Sequence, residues 1–117
     1  MNSDYIPVKA SAFQDWSRRA GCFICKEEHP QIHHIIGAKR KLKGVDNFGE
    51  KYVLPLCYWH HGDGCNEDAR HPSKAAFVKY HCMTEKDMFL ELMEIYKNEQ
   101  GQYPFPEYEI EIIKERA

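Results

Sequence analysis

Two short segments share one local pattern: Cys22 and Cys25 enclose Phe23 and Ile24, and Cys57 and His60 enclose Tyr58 and Trp59. Zinc takes four tetrahedral ligands, and two ligands separated by two residues let the chain fold back so that both face one point. The pairs Cys22/Cys25 and Cys57/His60 are therefore expected to hold one structural zinc ion and to pin the chain between them at its base. Cys65 or His61 could supply the fourth ligand in place of His60. The chain holds five cysteines, an odd number, which argues for metal ligands over a disulfide framework. A redox role for Cys22 and Cys25 would want a strand-to-helix junction in a longer alternating chain, and that pattern is missing. Cys82 is expected to pack beneath the helices.

A second group of nitrogen ligands lies between and after these pairs. His33 and His34 are adjacent within "QIHHIIG", His61 follows His60 at once, and His71 comes ten residues later. On a strand, neighbouring side chains point to opposite faces, so His33 and His34 must have different jobs. Imidazole can take a proton from water near neutral pH and is a common metal ligand. One base and one ligand would use the pair, while a packed histidine beside a surface one is the plainer alternative. Directly behind them, Lys39, Arg40, Lys41 and Lys43 form a basic run suited to neutralising phosphates, or else an ordinary solvated loop.

These residues must be positioned by a short chain. Residues 9–20 place Phe13 and Trp16 three apart among charges and predict an amphipathic helix stopped by Gly21. The β-branched run 32–36 predicts a strand, residues 37–50 a long polar loop, and residues 51–57 a second strand with Pro55 near its end. A turn is expected over 62–68 and a helix starting at Pro72. Thr84 should cap a helix over 85–100, with Asp87 as a partial capping box and Met88, Phe89, Leu92, Met93, Ile95 and Tyr96 on its apolar face. Residues 101–117 alternate acidic and apolar side chains and read as a loose strand or a docking tail. That order gives an irregular α+β chain with too little strand for a self-sufficient sheet, so a metal staple must help hold it.

The whole chain, 117 residues long, is expected to be one domain with its core over about 13–96 and a C-terminal extension over 97–117. Sixteen basic and eighteen acidic residues leave a formal charge of -2, which excludes a strongly cationic binder but not a local basic patch. No run of eighteen apolar residues and no basic-then-apolar N-terminus occur, so the sequence predicts a cytosolic protein with no membrane association.

The motif "HHIIG…VLPLCYWHH", together with "CFIC" upstream, resembles the HNH endonucleases and, more narrowly, the phage recombination enhancement function proteins. The resemblance covers roughly residues 13–96 and implies a small zinc-stapled ββα-metal fold with flanking helices. It implies a metal-dependent DNA endonuclease, phage-encoded and cytoplasmic in an infected bacterium, acting in recombination or DNA processing and leaving 5′-phosphate and 3′-hydroxyl ends. It assigns His34 as general base, and His33, His61 and His71 as ligands of a catalytic divalent cation (magnesium, manganese or zinc). DNA and a bacterial recombinase filament are the implied partners, with Lys39, Arg40, Lys41 and Lys43 on DNA. Tyr52 stands where the family carries Asn, a residue that orients the base, so either Asn47 or Asp46 is expected to substitute from the loop or the base is expected to be held in another way. That departure also favours an alternative, a non-catalytic zinc-stapled module binding DNA or a recombinase. The acidic segment around Glu107, Glu109 and Glu111 is expected to lie away from the DNA cleft or to dock on a protein.

Overall fold

A computed structural model describes residues 4–61 and 74–116. The turn over 62–68, Cys65, His71 and Pro72 lie outside the described residues. The order of elements is α1 (Ala10–Ala20), β1 (Gln31–His34), α2 (Phe48–Lys51), β2 (Val53–Leu56), α3 (Tyr58–His61), α4 (Lys74–His81), α5 (Glu85–Gln100) and α6 (Glu107–Glu115). Strands β1 and β2 form one antiparallel pair with His33 opposite Leu54 and His34 opposite Val53. Pro55 sits opposite Ile32, which a two-stranded sheet tolerates because every strand is an edge.

Two strands cannot bury a core alone, and helices cover them instead. Phe13 and Trp16 of α1 are buried, and Phe13 meets Phe105 edge-on with ring centroids 5.1 Å apart. Met88, Phe89, Leu92 and Met93 line the inner face of α5, while Ile95 and Tyr96 pack partly buried at its edge. Thr84 caps α5 through Asp87 N–H donating to Thr84 Oγ1 at 3.0 Å.

The C-terminal segment corrects the expectation of a strand or tail. It forms α6, with Glu109, Ile110 and Ile113 buried; the apparent alternation hides an apolar face at i and i+3. Phe105, Ile110 and Ile113 belong to the same core cluster as Phe13 and Phe89, so the extension is part of the fold. Glu109 takes a hydrogen bond of 2.7 Å from Lys51 Nζ on α2, with both side chains buried. The acidic helix does not lie away from the basic loop: a Cβ added to Gly44 would stand 2.8 Å from Ile112 Cδ1.

The loop between the strands is closed at a narrow neck. Gly49 N–H donates to the Arg40 carbonyl at 3.0 Å. A Cβ on Gly49 would fall 2.2 Å from the Gly37 carbonyl oxygen and 2.6 Å from that of Ala38, so only glycine fits. The expected polar loop thus ends in a helical turn, α2, before β2 begins. Cys82, expected beneath the helices, is exposed. No described helix is long and apolar enough to cross a membrane.

Candidate metal centre and histidine site

The first cysteine pair is shaped by backbone hydrogen bonds. Gly21 ends α1 at a φ of 88°, and the chain reverses as Cys22 N–H donates to Glu27 O at 3.0 Å and Lys26 N–H to Cys22 O at 2.8 Å. Phe23 N–H donates to Pro55 O at 2.8 Å, which brings this turn to the end of β2, where Cys57 begins α3. His61 N–H donates to Cys57 O at 2.8 Å, and that single helical turn swings His60 back towards Cys57.

The result is a Cys3His group. The ligand atoms of Cys22, Cys25, Cys57 and His60 all lie within 4.8 Å of one another. Cys25 Sγ is 3.6 Å from Cys57 Sγ, and His60 Nδ1 is 3.2 Å from Cys57 Sγ and 3.7 Å from Cys22 Sγ. Zinc–sulfur bonds of about 2.3 Å in a tetrahedron place neighbouring sulfurs about 3.8 Å apart, so this donor set fits a structural zinc ion. Desolvation pushes the Cys25 thiol up to about 11. Burial also acts on Cys57, but the His60 N–H and the neighbouring thiols outweigh it and hold that thiol below its ordinary value. Of the described candidates for fourth ligand, His60 lies within this group; His61 faces elsewhere.

His33 and His34 leave β1 on opposite sides, as the strand period requires. His33 is 4% exposed, and its Nε2 lies 2.8 Å from Glu85 Oε2, itself on a residue only 2% exposed. His61 joins this side, its ring meeting that of His33 edge-on at 5.2 Å, while its Nδ1 bonds Gln31 Oε1. Thus His33 and His61 come together as expected, and Glu85 is an acidic neighbour the sequence did not indicate. His71 is outside the described residues. Among those described, the Cys3His set is the one group of three or more His, Cys, Asp or Glu side chains close enough to hold an ion.

On the other side His34 is partly exposed, and its Nε2 is 3.4 Å from Glu50 Oε1. Asn47 and Asp46, the loop residues expected as substitutes, are both exposed, and the carboxylate beside His34 is that of Glu50. Asn47 instead begins α2 in the left-handed conformation, φ 54°. Tyr52 serves the strand and the core, its carbonyl accepting from Ile35 N–H at 3.1 Å and its ring stacking on Phe48. Burial, followed by the nearby Glu85 carboxylate, pushes its hydroxyl up to about 12. Lys39, Arg40, Lys41 and Lys43 are all exposed and line one concavity of about 680 Å³ with the rest of their loop.

No protein-family model, no curated protein and no solved structure matches this chain.

Proposed function

We propose that the protein is a metal-dependent DNA endonuclease of the HNH type, with the Cys3His group as a structural zinc site that holds the hairpin in register. The observation that carries the reading is the division of the adjacent histidines: His33 turns inward to His61, while His34 turns outward at the root of an exposed basic loop. In this reading His33 would hold a cation and His34 handle a proton.

In this reading His33, His61 and His71 would hold a divalent cation, which would supply stabilisation of the negative charge that develops as the phosphodiester is cut. Glu85 fixes the His33 ring through its carboxylate, as outer partners of ligating histidines do. His34 takes the proton from the attacking water. Lys39, Arg40, Lys41 and Lys43 engage flanking phosphates and give salt-sensitive affinity with little sequence preference. A bacterial recombinase filament is the further partner this reading carries from the family resemblance, along with action in recombination and phage origin.

One observation favours a second reading, a binding module that does not cut. His33 Nε2 is already taken by Glu85 at 2.8 Å in a buried pair, an arrangement that also serves purely to hold α5 against the hairpin. Incubating the zinc-loaded protein with supercoiled and single-stranded DNA in magnesium or manganese separates the two. Cleavage that is lost in His34→Ala, with the fold and zinc content kept, supports the nuclease. Tight DNA binding with no cleavage by the unaltered protein, with or without a recombinase filament, assigns the binding module.

A further inference from the structure

The side of His34 that faces the protein has a specific construction. Its Nε2 is shielded from solvent and makes no hydrogen bond to any described group; Glu50 Oε1 stands 3.4 Å away. Glu50 is itself held. The Gln14 amide nitrogen donates to the Glu50 backbone carbonyl at 2.8 Å and to Glu50 Oε2 at 3.0 Å. Gln14 belongs to the buried side of α1, an unusual place for an amide without a task. Both of its partners are oxygens, so the NH2 end must point at Glu50, and a flipped amide would set oxygen against oxygen. The Glu50 backbone is fixed too, by its N–H to Asn47 O at 3.0 Å and by the neighbouring Gly49 N–H to Arg40 O.

We propose that Gln14 and Glu50 form an orienting relay that holds His34 as its Nε2–H tautomer, leaving Nδ1 as the ring nitrogen that receives the proton from water. A carboxylate only accepts, so a hydrogen between Glu50 and His34 must sit on Nε2. With Nε2 shielded and protonated, Nδ1 carries the lone pair. The gap of 3.4 Å closes to a hydrogen bond when substrate settles the site, since such contacts are often long before substrate binds. Glu50 and Gln14 are positioning residues, acting on DNA only through His34. They take over the orienting task left open by Tyr52, from a helical turn and a helix instead of from the strand. The catalytic part of this inference rests on the nuclease reading; the tautomer does not.

The test is long-range proton–nitrogen NMR on the zinc-loaded, nitrogen-15-labelled full chain, with the His34 ring signals identified by their loss in His34→Gln. The expected result is the Nε2–H tautomer in the unaltered protein and its loss in Glu50→Ala. Single-turnover cleavage should fall about tenfold or more in Glu50→Ala with little change in the protein concentration that half-saturates the rate, and by less in Gln14→Ala. An Nδ1–H tautomer in the unaltered protein overturns the relay whether or not any variant folds. So does unchanged cleavage in Glu50→Ala. The expected tautomers in a protein that cuts no DNA would leave the relay standing and remove the nuclease reading.

Discussion

Glu85, at the start of α5, reaches 2.8 Å from Nε2 of His33 on β1, and both side chains are almost wholly buried. Fifty-two positions of sequence separate them, so this contact ties the C-terminal helices to the hairpin. Removing one partner leaves a polar group buried without the other, at a cost of about 2 to 3 kcal/mol. Glu85→Ala should lower the denaturant midpoint accordingly, and Glu85→Gln, which keeps an acceptor, should lower it less. Equal losses in both would show that a hydrogen-bonding acceptor at this position contributes nothing.

The Cys3His group predicts one zinc ion per chain. Because Cys22 is fully buried and would ligate from the turn that follows α1 and bonds to the end of β2, Cys22→Ala should lose the metal and the cooperative unfolding transition together. A strong chelator should do the same to the unaltered protein. Metal analysis combined with circular dichroism melts checks both, and a sharp melt in the metal-free protein would contradict the prediction.

Lys51 and Glu109 form a buried pair at 2.7 Å between α2 and α6. Breaking such a pair is costly, about 3 to 5 kcal/mol, whereas replacing both members with apolar residues of similar size is often neutral. Glu109→Ala should therefore destabilise the protein strongly, and the double variant Lys51→Met with Glu109→Leu should recover most of that loss. Urea titrations of the three proteins decide it; a double variant weaker than Glu109→Ala alone would refute the account.

Tyr52 sets an alkaline limit. Its hydroxyl lies at about 12 against an ordinary 10.0, so the folded state resists ionisation. Its contribution is complete below the unfolded value and is lost as pH climbs from about 10 towards 12. The loss amounts to about 2 to 3 kcal/mol. Tyr52→Phe should show a smaller fall in stability between pH 9 and pH 12 than the unaltered protein, measured by denaturant titration at each pH. Parallel falls would mean that Tyr52 does not set the limit.

Sequence alone reached the parts of this molecule that depend on local spacing. Two residues between ligands sufficed to pair Cys22 with Cys25 and Cys57 with His60, and the two-residue period of a strand sufficed to separate His33 from His34. It missed Glu85, Glu50 and Gln14, because their partners lie 52 and 36 positions away and nothing local marks a first-turn glutamate as more than a favourable charge at a helix start. It misread α6 because acidic residues alternate with apolar ones there, and only the buried Lys51 explains why Glu109 faces inward. It offered Asn47 or Asp46 from the loop, or some other means of holding His34, and could not single out Glu50, which the turn of α2 brings there.

The neck at Gly49 has a consequence for how this surface can change over time. The course of the 38–47 segment is set by the contact of Gly49 with Gly37 and Ala38 and by the Arg40 carbonyl, none of which involves the side chains of Lys39, Lys41 or Lys43. Those three side chains are exposed, and substitutions at such positions usually move stability by less than about 0.5 kcal/mol. Their identities can therefore be exchanged as a cassette, charge by charge, while the hairpin that carries the histidines keeps its shape. A lineage could retune what this loop attracts without ever passing through an unfolded intermediate sequence.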